Sequence, residues 1–235
     1  MEDNKKNNSV SFSNYVETYQ KEVQSSINFI GQDVDFIIEL KANLIISIAG
    51  KFFQNPEEIK VLDIGSGIGL TDHHLAKYFK NLHGVDVEEE VVNKAREYNP
   101  SVNYSLYNGS KLPQDDGSID LVFAINVMHH IPPAGWRSFV AEMFRVTKKN
   151  GIAVVFEHNP LNPLTRLAVS RCEFDKDAVL LYKNKLKKLF AGAKFEVAGN
   201  SYIIFFPFNK KAFRTLEKAL RWLPLGAQYY LVGKK

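Results

Sequence analysis

Residues 61–70 read Val61-Leu62-Asp63-Ile64-Gly65-Ser66-Gly67-Ile68-Gly69-Leu70. Val61, Leu62 and Ile64 make the short apolar run of a strand covered on both faces. Gly65, Gly67 and Gly69 let the backbone bend tightly and come close to a ligand. From Leu70 to about Phe79 the pattern predicts a helix whose free backbone N–H groups point at whatever lies in the turn. Strand, glycine turn and helix in this order open an α/β sheet with a cofactor site at the turn.

Glycine spacing separates the cofactor classes. A dinucleotide fingerprint is Gly-x-Gly-x-x-Gly, with a pyrophosphate on the helix N-terminus. Here the pattern is Gly-x-Gly-x-Gly, Leu70 stands at the third dinucleotide position, and Asp63 lies two residues before Gly65. A carboxylate aimed into the turn repels a pyrophosphate and suits a cationic ligand. The stretch resembles motif I of the class I S-adenosylmethionine-dependent methyltransferases, Asp/Glu-x-Gly-x-Gly-x-Gly, whose cofactor carries an ammonium and a sulfonium. That resemblance implies Asp63, Gly65, Ser66, Gly67 and Gly69 as cofactor-binding residues. Two alternatives stay open: an NAD(P)-dependent oxidoreductase with a drifted fingerprint, and a non-catalytic protein that binds the adenosyl cofactor.

Outward from the turn, further pieces fall in the order and spacing of that family. Leu82 to Val87 reads as a second strand, and Asp86 at its carboxyl end is placed to accept hydrogen bonds from ribose hydroxyls, with Val87 beside it. After a helix from about Glu89 to Tyr98 and a strand over 102–106, residues 107–113 resemble the family's adenine-edge segment, with Asn108 and Gly109 at the cofactor. Asn108 replaces the family's Asp, and an amide oxygen still accepts the adenine amino group's bond. Ile119 to Ile125 is a near-continuous apolar strand suited to the centre of a parallel sheet.

Asn126 follows that strand and is expected to line the cofactor through its backbone, and His129 and His130 come next, as in similar family members. One of the two, His130 by preference, is a candidate base for the acceptor proton, because imidazole titrates near neutrality. A helix over 135–147 leads to a fifth strand over 152–156, whose end carries Glu157 and a second candidate base, His158. Arg166 and Arg171 beyond it are candidate substrate residues. A helix over 178–190, strand segments at 195–197 and 202–206, and a last strand over 228–232 complete the pattern. No metal-ligand spacing stands out.

The flanks carry less. Residues 1–11 are polar and read as disordered, and residues 12–54 hold two helical patterns, the second over 33–53 with Phe36, Ile37, Leu40, Leu44, Ile45 and Ile48 on one face. In the family such an extension closes over the cofactor, which makes Tyr15 and Tyr19 candidate substrate residues. A helical insertion near 207–223 has Lys210, Lys211, Arg214, Lys218 and Arg221 on one side, a face suited to solvent or to peripheral contact with an anionic membrane.

Composition bounds the rest. With 235 residues, 45% of them hydrophobic, the chain can bury one sizeable core, here residues 55–235. A net charge of +4 does not call for nucleic acid. The single cysteine, Cys172, suits a reducing compartment, and no signal-peptide or bilayer-length apolar run is present, so a cytoplasmic location is expected. The resemblance implies a Rossmann-like, doubly wound, seven-stranded and mostly parallel sheet with an antiparallel last strand. It also implies methyl transfer from S-adenosyl-L-methionine, with S-adenosyl-L-homocysteine as product, to a small-molecule acceptor. An oxygen acceptor is preferred on the three histidines; the segment over 157–175 resembles a subgroup of bacterial small-molecule methyltransferases associated with cell-surface saccharides, and the basic helix over 210–221 suits a lipid-linked acceptor.

Overall fold

The computed structural model describes residues 34–206 and 211–235. The readings on residues 1–33, among them the disordered start, the first helix, Tyr15 and Tyr19, lie outside the described residues. So does the beginning of the insertion, at 207–210.

The chain runs α1 (Val34–Phe52), β1 (Lys60–Ile64), α2 (Leu70–Leu75), β2 (Asn81–Asp86), α3 (Glu89–Tyr98), β3 (Asn103–Leu106), β4 (Ile119–Ile125), α4 (Trp136–Val146), β5 (Thr147–His158), α5 (Pro163–Arg171), α6 (Lys183–Gly192), β6 (Glu196–Ile203), α7 (Lys211–Leu220) and β7 (Gln228–Lys234). The seven strands form one sheet in the order β3-β2-β1-β4-β5-β7-β6. Every neighbouring pair is parallel except those of β7, which is antiparallel to both β5 and β6.

Alternation along the strands divides the core in two. Val61, Leu121, Phe123, Val154 and Phe156 face a layer made by Ile45 and Ile48 of α1, Leu75 of α2 and Val92 of α3. Leu62, Ile64, Val122, Val155 and Leu231 point the other way, onto Phe139, Val140 and Met143 of α4 and Leu186 and Phe190 of α6. Both faces of the central strands are therefore covered, and this explains why β1, β4 and β5 read as continuous apolar runs. The order reverses between β1 and β4, so a crevice opens beyond the carboxyl ends of these strands.

Four boundaries differ from the sequence reading, and the first is α2, which ends at Leu75 and not near Phe79. β5 begins at Thr147, because Gly117 and Ser118 donate to the carbonyls of Arg145 and Val146 and pull the end of α4 into the sheet. The helix predicted from residue 178 starts at Lys183. The two segments predicted around 195–206 are one strand, β6, whose register against β7 shifts between Val197 and Gly199. On α7, Leu216 remains exposed instead of covering the sheet, and Trp222 and Leu225 beyond it are exposed as well. Among the described residues no helix is long and apolar enough to cross a membrane.

The contact between β7 and α6 is close enough to test. A Cβ on Gly233 would meet Phe190 Cδ1 at 2.5 Å and Phe195 Cβ at 2.9 Å. Gly233→Ala is expected to destabilise the protein by about 1–3 kcal/mol in urea unfolding, through overpacking at a site with no room to yield.

Candidate functional site

One cavity of about 420 Å³ runs from the glycine turn, along the carboxyl ends of β1, β2 and β4, to the end of β5 and up to α1 and α5. At the turn, Gly65, Gly67 and Gly69 have φ of 75°, 55° and 77°, the left-handed region that glycine enters without strain. A Cβ on Gly65 would lie 2.5 Å from Val127 Cγ2, and one on Gly69 would lie 2.5 Å from the Tyr104 hydroxyl. The turn can thus pack this closely only as glycine. Gly65 and Ser66 both donate to the Val85 carbonyl, which fastens the turn to β2.

Below the turn are two buried carboxyls. Asp72 Oδ2 accepts from the Tyr104 hydroxyl at 2.9 Å, and Asn99 bridges that hydroxyl to the Gly69 carbonyl. Asp63 Oδ1 and Asp72 Oδ1 have no hydrogen-bond partner among the described residues. Burial, and next the charge of Asp72, push the Asp63 carboxyl well above its ordinary pKa; burial raises that of Asp72 to about 6. Ser66 Oγ and Asn126 Oδ1 are also buried and unpartnered. Asn126 itself sits at φ 56°, a rare conformation for a side-chain-bearing residue.

Asp86, at the end of β2, accepts from the Gly67 N–H at 2.9 Å through Oδ2 and from the Val87 N–H at 2.7 Å through Oδ1. These bonds hold its carboxylate at the cavity wall with Val87, Tyr107 and Gly109. The set fits S-adenosylmethionine: unpartnered oxygens at Asp63 and Asn126 where the cationic methionine end would lie, and an anchored carboxylate where the ribose would lie.

The other end of the cavity centres on His129, only 1% exposed. Its Nδ1 is 2.6 Å from Glu157 Oε2 and its Nε2 is 3.3 Å from Asp175 Oδ1. Glu157 is held in turn by the Met128 N–H at 2.7 Å. Burial by itself lowers the His129 pKa, but the two carboxylates outweigh it and raise the value to about 10. The two carboxylates therefore favour a positive charge at His129, which makes it a poor base. His130 and His158 also line the cavity. Burial, followed by the charge of His129, lowers both to about 4, so both are neutral. His158 Nδ1 lies 3.4 Å from the Gln228 amide nitrogen.

Four further candidates need correction. Asn108 does not line this cavity; its Oδ1 accepts from the Ser110 and Lys111 N–H groups and closes its own loop. Arg166 and Arg171 are exposed and stand outside the cavity lining. Both lie on the exposed side of α5, while Thr165, Ala168 and Val169 line the cavity. His129 keeps a place at the site in a different role from the one expected.

Sequence reasoning missed Lys41, Asp175 and Gln228. Lys41 comes from α1, is 5% exposed and lines the cavity. Burial lowers its pKa to about 8 against the raising effect of Glu157. One signal was available: Lys41 interrupts the apolar face of α1 between Leu40 and Leu44.

A parallel sheet of this order, with a glycine turn after β1, an acidic residue ending β2 and a cavity across both, defines a class I methyltransferase fold. Consistent with this, residues 61–151 match the family described as "Methyltransferase domain". The chain is 32% identical over 104 residues to an uncharacterised methyltransferase of Synechocystis, a match covering 44% of this chain and 49% of the relative. It is 31% identical over 112 residues to norajmaline N-methyltransferase of Rauvolfia serpentina, covering 44% of this chain and 38% of that protein. The match therefore spans about half or less of these curated relatives. A Thermotoga maritima structure described as an S-adenosylmethionine-dependent methyltransferase, possible histamine N-methyltransferase, superposes with a TM-score of 0.67 at 20% identity. That alignment covers 95% of this chain and 98% of the other. Over residues 61–151 the chain is thus similar to the methyltransferase domain, and S-adenosylmethionine is the cofactor that this likeness implies.

Two outcomes test the geometry. In calorimetry Asp86→Ala is expected to weaken S-adenosylhomocysteine binding by about tenfold or more, the loss of a charge-assisted hydrogen-bond pair. Lys41 supplies the second. Unfolded, it keeps its proton up to about 10.5; folded, only up to about 8. Stability therefore rises as pH climbs through that window, and the whole cost of burying the charge is present below it. Lys41→Met is expected to be more stable than the parent at pH 7 by up to about 3 kcal/mol in urea unfolding, with the gain shrinking by pH 10.

Proposed function

We propose that the protein transfers the methyl group of S-adenosylmethionine to a hydroxyl of a small acceptor that carries a carboxylate or phosphate. The observation that carries this reading is Lys41, a buried cation facing the cavity at the end away from the glycine turn. Among the described residues no ion pair or hydrogen bond to its amine is found, so an anionic group on the acceptor would fill that role. An acidic saccharide is one such acceptor.

The sulfonium methyl is already electrophilic, so the chain's contribution is chiefly to line up acceptor oxygen, methyl carbon and sulfur and to exclude water. Asp63, Ser66 and Asn126 would fix the methionine end, and Asp86 the ribose. His130 and His158 flank the space in which the acceptor hydroxyl would pass its proton to a neutral imidazole or to solvent as its oxygen bonds to the methyl carbon. Glu157 and Asp175 hold His129 rigid beneath that space, which keeps its positive charge next to developing negative charge on oxygen.

Two relatives are named for amine acceptors, which makes N-methylation the competing choice. A protonated amine would face both Lys41 and the imidazolium of His129, and this favours the anionic hydroxyl compound. The test is release of S-adenosylhomocysteine from radiolabelled cofactor across matched hydroxy acids, phosphorylated sugars and amines. Turnover with the anionic hydroxyl compounds, reduced at least tenfold in kcat/KM by Lys41→Met, is expected. Turnover confined to amines would overturn the acceptor assignment. Cofactor binding without turnover on any of them would leave the non-catalytic binding protein as the better account.

A further inference from the structure

We infer that His129, His158 and Asp175 form a binding site for a divalent transition-metal ion of the zinc type at the acceptor end of the cavity. Each side chain offers one ligand atom, and the three atoms lie within 4.8 Å of one another. His129 Nε2 and Asp175 Oδ1 are 3.3 Å apart. Two ligands at about 2.0 Å from a tetrahedral ion are about 3.3 Å apart, so this edge needs no adjustment. The third ligand, a ring nitrogen of His158, lies within 4.8 Å of the other two and closes the face by drawing in to about 3.3 Å.

The surroundings match what a metal site needs beyond its ligands. The ring nitrogen of His129 that would not meet the metal, Nδ1, is held by Glu157 at 2.6 Å, and Glu157 is fixed by the Met128 N–H. A carboxylate behind a histidine ligand orients the ring and raises its basicity. Behind His158, the Gln228 amide faces Nδ1, and its Oε1 is buried without a partner. Turning that amide over would let Oε1 accept from Nδ1–H, which satisfies the oxygen and frees Nε2 as a ligand.

Three separate elements supply the ligands: the turn after β4, the end of β5 and the turn over Glu173–Asp175. The rigid sheet fixes two of the three. Two imidazoles with one carboxylate select zinc, manganese, iron or cobalt over magnesium or calcium, which prefer all-oxygen sites. The charges of Glu157 and Asp175 together offset that of the ion. All three ligands border the cavity, so a fourth position opens toward the acceptor.

Metal binding does not depend on methyl transfer, but its use does rest on that reading. An acceptor hydroxyl at the open position would ionise more readily and release its proton to solvent. Its oxygen would then form the new bond to methyl carbon as the methyl–sulfur bond breaks, leaving neutral S-adenosylhomocysteine.

The experiment uses tag-free, chelator-stripped full-length protein, dialysed against zinc or cobalt. One equivalent of zinc per chain by mass spectrometry is expected, with the visible absorption of cobalt in a tetrahedral nitrogen and oxygen field. Asp175→Ala and His158→Ala should each lose affinity by about tenfold or more, and calorimetry with S-adenosylhomocysteine checks that both variants keep the cofactor site. If the parent retains under about a tenth of an equivalent of zinc at micromolar free metal, the inference is overturned. It is equally overturned if the cobalt spectrum is unchanged in variants that still bind cofactor. Zinc bound without turnover on any acceptor would sink the methyl-transfer reading alone, and full turnover in chelator by metal-free protein would overturn the metal's part in the transfer.

Discussion

Asp63 and Asp72 put two carboxyls inside the protein beneath one glycine turn, and most of the cofactor end follows from the need to tolerate them. Burying like charges together is costly, and the cost is offset only by hydrogen bonds or by a cation. Tyr104 and Asn99 supply the hydrogen bonds on one side, and the same two side chains occupy the space that a Cβ at Gly69 would need. The glycines are thus required by the network below the turn as much as by a ligand above it. Of the oxygens left unsatisfied, Asp63 Oδ1 belongs to a residue that lines the cavity, and it is the one that a bound ammonium or sulfonium can relieve.

The acceptor end depends on a different constraint, the pairing of β4 with β5. The Asn126 N–H donates to the Phe156 carbonyl, carrying the pairing past the end of β4. The chain then leaves through a left-handed residue at Asn126 and tightens into the turn holding His129. Glu157 meets both the Met128 N–H and the His129 ring only because that register brings the next residue of β5 under the turn. Asp175 arrives from an unrelated segment, and its burial is tolerable only opposite a cation at His129, be it a proton or a metal.

The order of strands, the glycine turn and Asp86 were legible because each follows from local pattern: apolar runs, glycines that need positive φ, an acid at a strand end. The histidine pair and His158 were legible as belonging near the ligand, since strand ends fix position. Their division of roles was not, because it is decided by Asp175, a residue brought back across the sheet by α5. Lys41 was obscured because one polar residue on an amphipathic helix carries little weight in a periodicity argument. Arg166 and Arg171 illustrate the converse: helix rotation decides which side chains face a cavity, and charge favours the outside. Asn108 satisfied its own loop, a choice that short polar side chains make readily and that spacing does not reveal.

The two ends of the cavity differ in charge in a way that orders the ligands. Asp63 and Asp86 line the cavity at the glycine turn, while Lys41 and the positive charge favoured at His129 stand at the far side. In a water-poor cleft such a gradient acts over its whole length, because screening is weak there. A cationic cofactor entering with its methionine end at the acceptor side would oppose both sets of charges; in the other orientation it is attracted by both. An anionic acceptor, as proposed, would be sorted the opposite way. Once the methyl has left, the sulfonium charge is gone, and the product is held at the acidic end by its ammonium and ribose alone. In the proposed reaction the field that positions the reactants would therefore weaken its hold on the spent cofactor and favour exchange after each transfer.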